Sequence, residues 1–198
     1  MSRQVQAAFL CLVLKLSLAE PGFKEAVSYI YDNAQAIRLL FLHPMTFFVA
    51  GGTFDEDPLQ PPHTGRLFKC GAVKTSPFSG GTFSMKRYMY VKTLPRRWLE
   101  TTYDMINGTS PGYTFPNYMQ AYRHIGNTKK YAGTIYLLLS DTESCALFYH
   151  NETSDCELWE REHPKPDRLA SSFCNKYLIS CNNKTVKYYY NNTDCPNK

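Results

Sequence analysis

The spacing of the cysteines limits what this chain can fold into more than any other feature. Five of the seven cysteines lie in the last 54 residues, at Cys145, Cys156, Cys174, Cys181 and Cys195. Such spacing predicts a disulfide framework if the compartment is oxidising, and it would suggest metal or redox chemistry in the cytosol. The compartment therefore decides how the cysteines are interpreted.

The N-terminus indicates a secreted protein. A positive residue, Arg3, precedes an apolar run over residues 7–14, and a small-x-small cleavage site ends at Ala19. The apolar run is much shorter than the roughly 20 residues that a membrane-spanning helix needs. We therefore interpret residues 1–19 as a signal peptide, in preference to a buried helix, and residues 20–198 as the mature chain.

The remainder of the sequence agrees with secretion. Cleavage would remove Cys11 and leave six cysteines, an even number that can pair completely. No later segment is long and apolar enough to span a bilayer. We expect a soluble extracellular monomer with no membrane attachment. Four sequons predict N-glycosylation, at Asn107, Asn151, Asn183 and Asn191.

Residues 20–198 have the length of one domain. Two turn-rich segments, 57–65 and 162–167, are short enough to be loops within it. The formal charge of +5 falls to +3 once Arg3 and Lys15 are removed with the signal peptide. We expect no nucleic-acid partner, because this charge is small and alternation within a strand explains the basic, aromatic stretch 86–97.

Hydrophobic periodicity predicts two helices and many strands. One helix is expected from Phe23 to about Leu42, where Pro44 ends the pattern, and a second from about Asp167 to Ser180. The predicted strands are Met45 to Phe54, Arg66 to Val73, Thr82 to Lys92, Trp98 to Ile106, Met119 to His124, Lys130 to Leu139, Ala146 to His150 and Thr185 to Tyr190. This order favours a small closed antiparallel barrel over a two-layer sandwich.

Aromatic residues are abundant, with 15 Tyr and 12 Phe. Most are explained as ordinary strand formers. Some of them could instead line a cavity, since a barrel of about eight strands can enclose one small ligand. Aromatic faces beside a buried carboxylate would hold an organic cation through cation–π attraction and a charge-assisted hydrogen bond.

The C-terminal part of the chain resembles the tick salivary lipocalins, whose best-known members are the histamine-binding proteins. The resemblance is strongest from Gly133 to Cys195 and extends to Phe68-Lys-Cys70 and, more loosely, to residues 45–58. Its motifs are Tyr-Leu-Leu-Leu-Ser-Asp before Cys145, Glu157-Leu-Trp159, Ser-Phe-Cys174-Asn-Lys-Tyr, and a Tyr-rich strand that closes at Cys195. Several cysteines joined to a Glu-Leu-Trp step make this signature specific.

The resemblance implies a lipocalin-type eight-stranded antiparallel β-barrel with an N-terminal and a C-terminal helix, whose calyx holds small host molecules. It also implies a choice among the many pairings that six cysteines allow. Members of the family with three bridges imply Cys70–Cys195, Cys145–Cys174 and Cys156–Cys181.

The resemblance further suggests two places for an amine. Members that bind biogenic amines carry Cys-Asp before a Glu-Leu-Trp or Glu-Leu-Tyr step. Here Ala146 follows Cys145, so one acid of this inner site is missing, whereas Glu157 is kept. Glu157 could equally be a strand residue near the rim.

A second amine site of the family uses an aspartate in a Tyr-x-x-Asp-Pro stretch. Asp57 occupies that place, with Phe54 instead of the tyrosine, although three carboxylates in one turn could also be solvated. Glu100 is the candidate for a facing carboxylate, and Tyr122 and Thr134 are candidates for the wall of the pocket.

Two classes of function stay open. The first is a scavenger that sequesters a biogenic amine such as histamine or serotonin and so suppresses host inflammatory and immune defence. The missing acid at Ala146 makes a lipid mediator or sterol, such as a leukotriene, a fatty acid or cholesterol, an alternative ligand. Arg87, Lys92, Arg96 or Arg97 could meet its carboxylate. The second is a module whose surface binds a host immune protein.

Enzymatic motifs are absent from the sequence. It contains no Gly-rich phosphate loop, no Gly-x-Ser-x-Gly, no His-Glu-x-x-His and no Cys-x-x-Cys. The five histidines are scattered and are mostly flanked by turn residues. We expect a binding protein with no catalytic residues, no cofactor and no metal.

Overall fold

The computed structural model describes residues 35–62, 64–92, 97–165, 172–190 and 195. Several sequence predictions fall outside these residues. They are the signal peptide over residues 1–19, the part of the first helix before residue 35, the first part of the second helix, the side chains of Arg96 and Arg97, and the sequon at Asn191.

Eight antiparallel strands form a closed barrel. The strands are β1 (Met45–Gly52), β2 (Phe68–Pro77), β3 (Phe83–Val91), β4 (Arg97–Gly108), β5 (Tyr118–Ile125), β6 (Thr128–Ser140), β7 (Cys145–His150) and β8 (Asp155–Glu160). Each pairs with the next, and β1 pairs with both β2 and β8. The predicted closed barrel is confirmed.

Strand β8 was not among the strands predicted from periodicity. Both of its faces are buried, so its polar and apolar positions do not separate a solvent face from a core face. Glu157 and Trp159 face the barrel interior, whereas Cys156 and Leu158 pack against a second cluster on the outside. A strand without a solvent face has no polar face to reveal it.

The C-terminal segment packs over the outer face of β8 and contributes to this second cluster. Within the described part of the second predicted helix, residues 172–180, the structure has one helical turn, α1 (Asn175–Leu178). The final strand, β9, is Lys187–Tyr188 and pairs with Gly51 and Gly52 of β1, so it is shorter than the predicted Thr185 to Tyr190.

Three disulfides fix this cover and the tail. Cys145 joins Cys174 and Cys156 joins Cys181, so β7 and β8 are each linked to the segment that contains α1. The third joins Cys70 of β2 to Cys195 in the tail. These are the pairs that the family resemblance implies.

One end of the barrel is closed by the segment before β1. Within residues 35–42 the predicted α-helix is a 3-10 turn, Ile37–Leu40, whose Ile37 and Leu40 are fully buried. Its ends are held by other parts of the chain, because Ile37 N donates to Pro116 O at 3.1 Å and Thr75 Oγ1 donates to Leu40 O at 2.6 Å. These tertiary contacts override the helical periodicity.

The opposite end is the mouth of the barrel, where the β1–β2, β5–β6 and β7–β8 connections meet. The β1–β2 connection, residues 53–67, is the longest of these three and carries the predicted site residues Phe54 and Asp57. The β7–β8 turn, residues 151–154, begins at the exposed sequon residue Asn151. The sequon residue Asn183 is also exposed, and Asn107 is half-buried.

Candidate functional site

Arg87 lies inside the barrel. Alternation along β3 turns Met85, Arg87 and Met89 to the interior and Lys86 to the outer surface. The Arg87 side chain is fully buried among apolar residues. A buried guanidinium requires carboxylate partners, since an unpaired charge in such surroundings is very costly.

Two carboxylates meet this guanidinium. Nε of Arg87 donates to Oδ2 of Asp57. Nη1 donates to Oε1 of Glu157 at 2.5 Å, and Nη2 donates to Oε2 of the same carboxylate at 3.0 Å. Asp57 and Glu157, the two acids that the resemblance assigns to separate amine sites, therefore hold one protein cation between them.

Glu157 is held by two further donors. Trp159 Nε1 donates to Oε1 at 2.6 Å, and His150 Nε2 lies 2.7 Å from Oε2. Because a carboxylate can only accept, the His150 proton lies on Nε2. Burial raises the pKa of Glu157, but the charge of Arg87 and the hydrogen bond from His150 outweigh burial and lower it to about 2. The side chain is ionised at physiological pH.

The charge of Arg87 is similarly secured. Burial lowers its pKa, but the negative charges of Asp57 and Glu157 and their hydrogen bonds more than offset that effect and leave the pKa raised. The cluster thus contains two anions around one permanent cation.

A turn places Asp57 for this contact. Asp57 N-terminal to Pro58 is the residue order that type I turns favour. Gln60 N donates to Asp57 O at 3.0 Å, and Leu59 N donates to Oδ1 at 2.9 Å. The carboxylate is 5% exposed, so of the two alternatives for Asp57 the structure shows the buried one.

Three of the six predicted ligand residues come together in the structure, namely Phe54, Asp57 and Glu157. Phe54 is buried, with its ring 5.3 Å from that of Phe68 and 5.1 Å from that of Tyr189. Ala146, at the position of the missing acid, is fully buried and pairs across the strands with Trp159. An apolar contact replaces a carboxylate there.

Glu100 lies away from this group. It is about half exposed on β4, and its Oε1 is 2.9 Å from Nζ of Lys86 on the outward face of β3. Tyr122 is half-buried on the face of β5 opposite the core residues Met119 and Ala121. The structure therefore brings neither Glu100 nor Tyr122 to Asp57.

A cleft of about 630 Å³ opens beside Asp57 at the mouth of the barrel. We call it the mouth cleft. Five acidic residues and one lysine contribute to its walls: Asp55, Glu56, Asp57, Glu152, Asp155 and Lys184. Two aromatic residues, Phe54 and Tyr131, also line it. Its volume is in the range of small-molecule sites.

Two hydrogen bonds fix Glu152 in the wall of the mouth cleft. It accepts a hydrogen bond from the Tyr131 hydroxyl and another from Thr134 N at 2.8 Å. Thr134 Oγ1 lies 2.6 Å from the same hydroxyl. The predicted wall residue Thr134 therefore holds two lining residues of the cleft in position. Burial, and then the hydrogen bond to Glu152, raises the pKa of Tyr131 to about 12.

Gly133 makes room for Glu152. Its φ of +155° is rarely adopted by other residues, and a Cβ there would lie 3.0 Å from Glu152 Oε2 and 3.0 Å from Leu59 Cδ2. The adjacent bulge of β6, where Ala132 is left without a partner on β5, accompanies this conformation.

The other acids of the mouth cleft have local partners. Asp155 Oδ1 accepts from Thr53 Oγ1 at 2.8 Å and lies 2.9 Å from Lys184 Nζ. Asp55 Oδ1 is 2.7 Å from Lys187 Nζ. Glu56 accepts from the backbone N–H groups of residues 64 and 65, each at 3.0 Å. Even with these lysines counted, the acids outnumber the cations.

Sequence reasoning missed Glu152, Asp155 and Tyr131. The sequence feature that could have indicated the two acids is the short polar stretch Asn151-Glu-Thr-Ser-Asp155. It can be assigned to the mouth of the barrel only once β8 is recognised as a strand. Among the residues that the structure describes, no group of three His, Cys, Asp or Glu side chains is arranged to hold a metal ion. Within the same residues, no helix has the length and hydrophobicity for crossing a membrane.

The structure is a closed eight-stranded barrel of the lipocalin type with a charged cluster in its interior. The sequence profile described as "Tick histamine binding protein" matches residues 32–197. The chain therefore belongs to the tick histamine-binding protein family. The family is one of ligand-binding proteins, so the expectation that the chain is not an enzyme is confirmed.

Solved structures support the fold. Apocrustacyanin C2 and apocrustacyanin C1 each match with 15% identity and a TM-score of 0.53, over 87% of this chain and 88% of theirs. A comparison with curated proteins finds no match.

Proposed function

We propose that this protein binds a small organic cation, such as histamine or serotonin, in the mouth cleft. Stoichiometric binding of this kind would lower the concentration of a free host mediator and thereby suppress host inflammatory and immune defence. The single observation that carries the proposal is the acidic lining of the cleft, five carboxylic residues against Lys184.

Charge distribution supports a cationic ligand. The whole chain is basic, with a formal charge of +5, yet the mouth cleft collects acids from the β1–β2 connection and from the β7–β8 turn and its edge. A concave surface of one sign attracts ligands of the opposite sign and raises their local concentration. An amine entering the cleft would exchange water for carboxylate partners.

The aromatic residues support the same ligand class. Tyr131 lies in the cleft wall and is already hydrogen-bonded to Glu152, which places an aromatic ring beside a carboxylate. That combination suits an ammonium or imidazolium ion, which gains from both the ring face and the negative charge.

The inner carboxylates are less suited to a free amine, because Arg87 already pairs with both. The same pairing argues against an anionic lipid mediator. A ligand carboxylate reaching Arg87 would have to displace Asp57 or Glu157 and would meet two buried anions. The mouth cleft is therefore the better candidate for the ligand site.

Secretion belongs to the proposal. Membership of the family and the three disulfides support an oxidising compartment, as expected if residues 1–19 are cleaved. We also take the protein to act as a monomer, one barrel to one ligand.

The test is calorimetric titration of residues 20–198, secreted from eukaryotic cells, with histamine and serotonin, and with a leukotriene and cholesterol. Glu152→Gln should weaken amine binding at least about tenfold, as expected for loss of a charge-assisted contact. Glu100→Gln is the matched control, because it removes a carboxylate outside the cleft, and it should leave affinity unchanged. Failure of both amines to bind, or equal affinity of Glu152→Gln and the wild-type protein, would refute the proposal.

A further inference from the structure

We propose that Arg87 is a tethered cation that fills an inner cation site formed by Asp57 and Glu157, so that this site rejects free amines until the side chain is shortened. The ligand class that would then bind is a short alkylguanidinium. The inference concerns the barrel interior and does not depend on whether the mouth cleft binds anything.

The inner site has the composition of a cation receptor. Its two carboxylates come from separate parts of the fold, the β1–β2 connection and β8, and converge on three nitrogens of one guanidinium. The Phe68 ring lies 6.0 Å from Arg87 Cζ, at the limit of cation–π range. All charged groups of the cluster are nearly inaccessible to water.

The carboxylates do not depend on Arg87 for their positions. Asp57 Oδ1 is held by Leu59 N at 2.9 Å. Glu157 is held by Trp159 Nε1 at 2.6 Å and faces His150 Nε2 at 2.7 Å. Because these contacts do not involve the Arg87 side chain, removal of the guanidinium would leave a preformed pocket between the two carboxyl groups.

A free cation would have a route to this pocket. Asp57 contributes both to the inner site and to the wall of the mouth cleft, and its neighbour Gln60 also lines the cleft. Asp57 would thus separate the space vacated by Arg87 from the mouth cleft. An entering cation would pass from one acidic surface to another.

Arg87→Ala is the decisive variant. It leaves Asp57 and Glu157 buried without a counter-charge, so the barrel should be destabilised. Ethylguanidinium contains the same heavy atoms that this substitution removes beyond Cβ. Bound to the folded variant alone, it should raise the unfolding temperature in a saturable manner, by about 5 °C or more at concentrations far above its dissociation constant.

Two controls separate occupancy from general solvent effects. N-ethylurea has a similar shape without the charge and should not stabilise Arg87→Ala. The wild-type protein should respond less than Arg87→Ala, because its own side chain fills the inner site and only the mouth cleft is open to the additive. Lys86→Ala removes the neighbouring cation on the outward face of β3, whose ion pair with Glu100 is exposed, and it should respond to ethylguanidinium no more than the wild-type protein does.

A failure of Arg87→Ala to fold would also be informative. Refolding with ethylguanidinium should then raise the yield of folded barrel, whereas N-ethylurea should not. Arg87→Met combined with Asp57→Asn and Glu157→Gln removes all three charges; it should fold without additive and respond to ethylguanidinium no more than the wild-type protein does.

The inference is overturned if ethylguanidinium neither stabilises nor refolds Arg87→Ala, or if N-ethylurea does so equally. It is also overturned if the wild-type protein responds as strongly as the variant. Amine binding to the wild-type mouth cleft is measured separately, so failure of one proposal leaves the other standing.

Discussion

Arg87 and Glu157 face each other across the barrel interior in a two-point ion pair, with distances of 2.5 Å from Nη1 to Oε1 and 3.0 Å from Nη2 to Oε2. Arg87 is on β3 and Glu157 is on β8, and in the closed sheet β1 and β2 lie between those strands. The pair therefore forms only when β1 and β2 have joined, and it links the interior charge to closure of the barrel.

Removing the charge of Glu157 should lower the free energy of unfolding substantially. Glu157→Gln leaves Arg87 with Asp57 alone in a buried site, and loss of one partner from a buried pair typically costs about 3–5 kcal/mol. Glu100→Gln disrupts the exposed pair with Lys86 and should cost less than about 1 kcal/mol. Urea unfolding of both variants measures the difference, and similar costs would contradict the buried pairing.

Acid should destabilise the protein partly through Glu157. Its pKa is lowered from 4.5 to about 2 on folding, so the unfolded chain takes up the proton first as the pH falls. The stabilisation, on the order of 3 kcal/mol, is complete above pH 4.5 and is lost as the pH falls towards 2. Free energies of unfolding measured from pH 7 to pH 2 should fall less steeply over this interval for Glu157→Gln.

Gly133 should tolerate substitution worse than another glycine of the same hairpin. Gly133→Ala combines an unfavourable φ with contacts at 3.0 Å to Glu152 and Leu59, whereas Gly126, at φ +58°, has open space where a Cβ would be. We expect about 1 kcal/mol for Gly126→Ala and a larger loss, about 2–4 kcal/mol, for Gly133→Ala. Chemical denaturation distinguishes the two, and equal losses would show that the contact with Glu152 is unimportant.

The disulfides next to α1 should contribute separately. Replacing Cys145 and Cys174 together with Ala should cost about 2–5 kcal/mol and leave the bridge from Cys156 to Cys181 intact. Peptide mapping without reduction checks the remaining pairs, and denaturant unfolding checks the cost. Recovery of a peptide that joins Cys156 to Cys195 in this variant would contradict independent bridges.

The inward position of Arg87 could be predicted from the sequence. It falls in the same phase of alternation as Met85 and Met89, so a barrel strand must turn all three to one side. Its partners could not, because Asp57 and Glu157 are far along the chain and meet it only through the order of strands around the barrel. Local patterns do not carry that information.

The mouth cleft escaped prediction for a related reason. Glu152 lies in the β7–β8 turn and Asp155 is the first residue of β8. Both positions depend on the pairing of β8 with β7, and β8 has no solvent-exposed face by which a half-buried strand is recognised. Family resemblance supplied what periodicity did not, since it singled out Glu157 and Asp57. It could not show that Arg87 joins them, because the guanidinium comes from the middle of the chain, where the resemblance is weakest.

The double-sided burial of β8 divides the molecule into regions with unequal freedom to vary in evolution. Along residues 155–160 nearly every substitution would disturb either the charged interior or the packing beneath α1. Residues 124–130, at the tip of the β5–β6 hairpin, are exposed and could change with little effect on either. A lineage of such barrels could therefore change the surface that antibodies meet while its ligand chemistry stays constant.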